Sequence, residues 1–178
     1  MKRPSPVLLV TLAAAALLWL LSRTQKGQAV VAEVADAVAS GVLGYRLNNP
    51  LNVERGQDWQ GLAPDQWHAR FAHFVSMPYG IRAWHKIMQT YSKSYGVRSV
   101  AAIVNRYNPK VDGQPGTYIP TVAAAVGVSA DASFDVMSPA LAFKLCRAMI
   151  RVEIGAPAAL LVSDDDVRQG LRLAGVAV

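Results

Sequence analysis

The sequence predicts a mainly α protein: an N-terminal transmembrane helix, then one compact helical domain with at most a short β-hairpin. Three observations carry this. The run Val7 to Leu21 is uncharged and stands apart from everything after it. Downstream, Ile81, Trp84, Ile87, Met88 and Tyr91 recur at three- and four-residue steps, the spacing of an amphipathic helix. Tyr45 to Pro64 is rich in Asn, Gly and Pro and reads as turns.

The N-terminal run comes first. Its fifteen residues would span roughly 22 Å, short of a hydrocarbon core of about 30 Å, but extension from Pro4 to Ser22 brings it close. Trp19 suits an interfacial position. Residues 1–27 are therefore read as a membrane anchor, with a lipid membrane as partner. An uncleaved anchor is favoured over a signal peptide, because Ser22-Arg23-Thr24-Gln25-Lys26 lacks a small-residue cleavage site. A buried helix is the third reading. Lys2, Arg3 and the amino terminus outweigh Arg23 and Lys26, which places the N-terminus inside and the domain outside the cytoplasm.

Residues 28–44 form a stalk or a first helix, with Val30, Val34, Ala37 and Val38 near one face and Gly41 and Gly44 as stops. Residues 45–178 form the domain. A short hairpin could join Leu51-Asn52-Val53 to Trp59-Gln60-Gly61. Phe71 to Val75 is a short strand or a helix end, and Met77 to Gly80 is a turn. A helix over Ile81 to Tyr95 ends at Gly96. Ser99 caps a helix over Val100 to Tyr107, which Asn108-Pro109 ends. Asp112 to Gly116 is loop. Tyr118 to Val126 is helical, with Pro120 in its first turn and Gly127 as its stop. Ser138-Pro139 opens an apolar helix, Ala140 to Ile154, the centre of the core. Ser163 to Asp166 caps the last helix, with acids at its positive end.

Composition narrows the function. The chain has 178 residues and a net charge of +6, from 18 Lys and Arg against 12 Asp and Glu. Nucleic acid, anionic lipid and an anionic cell-wall polymer would all be attracted. Nucleic acid rests on charge alone and is the least supported partner. The lone Cys146 lies in an apolar run and reads as a small buried hydrophobe, so no intrachain disulfide is possible. There is no phosphate-binding glycine loop and no paired-cysteine site, and His68, His73 and His85 lack ligand spacing. No cofactor and no metal are expected, which leaves carboxylate chemistry or none.

Such chemistry needs an acid held in apolar surroundings so that it stays protonated near neutral pH. Glu153, at the end of the most apolar helix, has that position. Its plainer reading is a helix-end acid paired with Arg147, Arg151 or another Arg across the fold. Glu54, in the Asn-rich turn beside Arg55, is the second candidate, with a solvated turn residue as its plainer reading. Glu33, on a helix upstream of the turn, is a weaker third. Among the aromatics, Trp84 and Tyr91 have core spacing. Trp59, Tyr79, Tyr107 and Tyr118 lie near turns or helix ends, where groove residues lie.

Several segments line up in order: Arg46-Leu47-Asn48-Asn49-Pro50-Leu51-Asn52-Val53, Trp59-Gln60-Gly61, Phe71 with Phe74, Pro78-Tyr79-Gly80-Ile81-Arg82-Ala83, Tyr91, Arg106-Tyr107-Asn108-Pro109, Thr117-Tyr118-Ile119, Gly127-Val128 and Glu153-Ile154-Gly155. Together they resemble a family of small phage and prophage proteins, labelled virion structural proteins or lysozyme-like proteins linked to the cell wall. The resemblance covers residues 45–155. It departs at Leu51, where the family has Gly, at Asp112-Gly113 in place of Glu-Asn, and at Ile154 within the final Glu-Asn-Gly.

The resemblance implies a lysozyme-like α domain over 45–178 and a place in the virion or at the host inner membrane. It implies peptidoglycan as ligand and other virion proteins as further partners. Under it, a lytic transglycosylase or muramidase activity would use Glu153 and Glu54 as catalytic acids. Arg46, Asn48, Asn49, Asn52, Trp59, Tyr79, Arg82, Tyr107 and Tyr118 would hold the glycan. The alternative is a non-catalytic virion membrane or structural protein that binds peptidoglycan or serves assembly.

Overall fold

A computed structural model describes residues 24–109 and 116–178. The described helices are α1 (Gln25–Gly41), α2 (Leu43–Arg46), α3 (Met77–Tyr95), α4 (Val100–Tyr107), α5 (Tyr118–Val126), α6 (Pro139–Glu153), α7 (Ala156–Ala159) and α8 (Asp164–Ala174). The chain divides into two units between Gly41 and Val42. The first contributes α1 alone to the described residues.

The transmembrane part of the expected fold class does not stand. Among the described residues, no helix is long and apolar enough to cross a membrane. α1 has 17 residues, which gives roughly 26 Å of rise, and it carries Lys26, Glu33 and Asp36. A bilayer core would have to desolvate those charges. The apolar run Val7 to Leu21 lies outside the described residues, as do Asp112 and Gly113.

In the second unit the helices begin and end where elementary capping puts them. The Ser99 hydroxyl accepts from the Ala102 amide at the start of α4. Ser163 and Asp166 form a reciprocal capping box on α8, where Asp164, Asp165 and Asp166 face the positive end of the helix dipole. Gly96, Gly127 and Gly175 close α3, α5 and α8 in left-handed geometry. α3 starts earlier than the sequence suggests. Ser76 is its N-cap and Pro78 lies in its first turn, so Met77 to Gly80 is helix and not a free turn.

The only β-pairing among the described residues is two isolated antiparallel bridges, Glu54 with Phe71 and Leu62 with Phe74. The hairpin expected between 51–53 and 59–61 is therefore absent. Both segments pair instead with 71–75: the Ala72 amide donates to Val53 O at 2.9 Å and the Val75 amide to Gly61 O at 2.9 Å.

α3 and α8 form the closest helix pair. At their crossing, a methyl on Gly170 would lie 2.6 Å from the Ile81 side chain and 2.8 Å from Pro78 O, so only Gly permits the approach. α3 also rests on the Asn-rich turn, where a methyl on Gly80 would lie within 3.1 Å of the Asn48 and Asn49 backbone. α6 packs between α5 and α8. The core they enclose includes Trp84, Met88, Ile103, Leu145, Met149, Ile150 and Leu171, each with almost no exposed surface. Cys146 is buried there as well, and burial pushes its thiol pKa up, so it packs as a hydrophobe.

One polar group in this core is sensitive to pH. His85 is 1% exposed. Its Nε2 lies 3.0 Å from Val136 O, and its Nδ1 lies 3.1 Å from Gln89 Nε2. Gln89 also donates to Ala174 O at 2.8 Å. That arrangement uses a neutral ring, protonated on Nε2 and accepting on Nδ1. Burial lowers the His85 pKa from 6.5 to about 4. Between those values the unfolded chain binds a proton that the fold refuses, so stability is full above 6.5 and falls as pH drops toward 4. A displacement of that size corresponds to about 3 kcal/mol. Thermal melts of the wild type from pH 7 to 4 should show this loss. His85→Gln, which cannot titrate, should flatten the slope across the same window, and an unchanged slope would contradict the assignment.

Candidate active site

The site is built on the Asn-rich turn. Asn49 is fully buried. Its Nδ2 donates to Val53 O at 2.9 Å and to Ala72 O at 2.8 Å, and its Oδ1 accepts from the Val53 amide at 2.8 Å. Each such bond contributes about 1 kcal/mol net, and a lost partner in the core would cost more. Asn48 donates to Phe74 O at 2.9 Å. Both serve the frame, and Asn49 has no amide N–H or oxygen left over for a glycan. Asn48 and Asn52 take left-handed backbone, φ 50° and 53°; asparagine accepts that geometry at little cost. Position 51 does not, so Leu51 sits where the family has Gly without strain, and its side chain is buried.

The left-handed step at Asn52 turns its amide toward the end of α6. Asn52 Nδ2 donates to Glu153 Oε2 at 3.0 Å, and the buried Tyr118 hydroxyl donates to Glu153 Oε1 at 2.6 Å. The expected arginine partners are engaged elsewhere: Arg147 binds Val162 O and faces Asp164, and Arg151 is exposed. Glu153 is thus held by two neutral donors and no cation. Burial raises its pKa, while the Tyr118 and Asn52 hydrogen bonds partly oppose that. The same burial, with the Glu153 charge behind it, pushes the Tyr118 hydroxyl pKa up, so it remains a donor.

Glu153 opens onto a cleft of about 880 Å³. One wall comes from the turn, with Asn52, Glu54 and Trp59. The other comes from the end of α4 and the face of α3, with Tyr91, Arg106 and Tyr107. Tyr107 donates to Leu51 O at 2.5 Å and ties α4 to the turn across the cleft. Two cleft-wall atoms, Trp59 Nε1 and Asn108 Oδ1, are buried without a protein partner.

The remaining sequence candidates fall in other places. Glu54 lines the cleft but is exposed and bound to Arg70 at 2.7 Å, so it differs from Glu153 in every electrostatic respect. Tyr79 packs over Gly61, whose φ of 81° and contact with the Tyr79 ring both require glycine. Arg46 stacks on the exposed Trp67 at 5.1 Å. Arg82 is half-buried on α3, away from the cleft wall. Tyr91, given core spacing by the sequence, lines the cleft, whereas Trp84 is core. Arg106 and Tyr95 were missed. Arg106 was signalled by its place in the Arg106-Tyr107-Asn108-Pro109 segment, and Tyr95 by its position at the C-terminal end of α3. Glu33 lies on α1, in the other unit. No cluster suited to a metal ion occurs among the described residues.

The site is thus a part-buried carboxyl, bound by neutral donors, beside a polar and aromatic cleft in a helical domain. No protein-family model matches the chain. It is similar to Protein P5 of Pseudoalteromonas phage PM2, with 35% identity over 89 residues, covering 48% of this chain and 56% of that protein. The match thus spans just over half the length of the relative. It supports the coarser part of the sequence reading, a phage virion protein.

The strain of holding Glu153 should be measurable. Its raised pKa means that the stability it contributes is complete below the unfolded value and is lost as pH rises through the folded one. Gln can accept from Asn52 through Oε1 and donate to the Tyr118 oxygen through Nε2, without the desolvated charge. Melting curves should show Glu153→Gln at least as stable as wild type at pH 8, with the difference shrinking as pH falls. A clear loss of stability at pH 8 would mean that the ionised carboxylate supports the fold.

Proposed function

We propose that this is a phage virion-associated protein whose cleft binds peptidoglycan strands and cleaves their glycosidic bonds, with Glu153 as the proton donor. One observation carries the reading: a part-buried carboxyl, held by Asn52 and Tyr118 with no cationic partner among the described residues and with its pKa raised by desolvation, faces the cleft. The protonated Glu153 gives its proton to the bridging oxygen, the bond from the anomeric carbon to that oxygen breaks, and the electron pair leaves with the departing sugar. The resulting Glu153 carboxylate then takes a proton from the incoming hydroxyl, which is either water or the 6-hydroxyl of the same sugar. Asn52 and Tyr118, already aimed at both oxygens, stabilise the carboxylate at that stage.

Glu54 is paired with Arg70 in solvent and is poorly suited to be the second, nucleophilic carboxylate. That same observation favours a second reading, a binding module that holds peptidoglycan during virion entry or assembly without cleaving it.

The full chain, incubated with sacculi of several peptidoglycan types, should reduce their turbidity. Glu153→Gln should lose at least about a hundredfold of the rate, and Glu54→Gln should retain most of it. Absence of clearing on every type, with co-sedimentation intact, would replace the enzyme by the binding module.

A further inference from the structure

We propose that Arg106, stacked on Tyr95 and Tyr91, is a subsite that makes the cleft select carboxylate-bearing glycans over neutral ones. This rests on the reading of the cleft as a glycan site. The Arg106 guanidinium lies 3.7 Å from the Tyr95 ring and 5.0 Å from the Tyr91 ring. Those rings stand edge to face on α3, 6.5 Å apart. A guanidinium laid on aromatic faces loses little further freedom on binding, and its N–H edge stays open for a planar, bidentate partner. Carboxylate is the group with that geometry. Among the described residues, no carboxylate lies within ion-pair distance of Arg106.

The charge of the cleft points the same way. Arg55, Arg70 and Arg106 all line it. Arg70 is neutralised by Glu54. Arg55 uses its Nη1 on His68 O at 3.1 Å and faces no carboxylate among the described residues. The remaining acid of the wall, Glu153, is bound by Asn52 and Tyr118 and not by either guanidinium. Among the described residues, two guanidiniums therefore stand along one groove without a carboxylate partner, which favours anions there. A neutral acetamido-sugar polymer offers them no carboxylate, whereas the free carboxylates of peptide stems match them.

Co-sedimentation of the full chain at about 0.15 M salt tests this with three probes: sacculi, sacculi whose carboxyls have been amidated, and chitin. Wild type should bind intact sacculi at least about tenfold more tightly than amidated sacculi or chitin. Arg106→Gln should lose that preference while still binding amidated sacculi as wild type does. Arg106→Lys, with charge but no planar fork, should fall between them. Lys144→Gln, an exposed change on α6 outside the cleft, should behave as wild type. Equal wild-type binding to intact and amidated sacculi would overturn the subsite and leave the glycan cleft standing. So would a preference retained by Arg106→Gln. Binding to none of the three would remove the glycan reading and the subsite together.

Discussion

The side chain of Asn49 is the constraint on which the site depends. It has no exposed surface and makes three hydrogen bonds to backbone atoms, two at Val53 and one at Ala72. A buried amide in the core is tolerable only when its atoms are satisfied. Here they are satisfied by two segments, the Asn-rich turn and 71–75, that no regular sheet joins among the described residues. The clamp gives the turn one shape, with Leu51 inward and Asn52 in left-handed geometry facing α6. The first turns of α3 rest on the same turn through Gly80. Loosening Asn49 would therefore disturb the cleft wall, the seat of α3 and the hydrogen bond to Glu153 together.

That geometry gives two carboxylates opposite characters. Glu54 and Glu153 line the same cleft. Glu54 is solvated and neutralised by a guanidinium at 2.7 Å. Glu153 is desolvated and receives hydrogen bonds from neutral groups alone. Desolvation favours the proton-bearing form, and neutral donors recover part of the cost of ionisation without abolishing it. The result is an acid that can give up a proton and remain supported afterwards, the pattern expected of a general acid.

Helices were legible where local chemistry sets their limits. Ser99 and Asn108 bound α4, and Gly127 stops α5, as the sequence indicates. Pro78 misled because it reads as a turn signal yet also fits a first helical turn. The pairing of the turn with 71–75 was hidden, because contacts between distant segments leave no periodicity. The same holds for the site. Glu153 was legible as an acid in an apolar run, but its partners lie 101 and 35 residues away in sequence. Arg147 and Arg151 were the local alternatives, but Arg147 is drawn to Val162 O and Asp164 and Arg151 is exposed. Asn48 and Asn49 advertised a polar site, and the fold uses them as its frame. Tyr91 shares the helical spacing of Trp84, but it lies near the end of α3, beyond the core, and so faces the cleft.

The role of Glu153 depends on its holding a proton to higher pH than an ordinary glutamate. Carboxyl-carbon NMR titration, with the Glu153 signal assigned through Glu153→Gln, measures this directly. Its midpoint should lie above that of an ordinary glutamate and rise further in Tyr118→Phe, because that change removes a donor that favours the charged form. A midpoint at or below about 4.3 would contradict it.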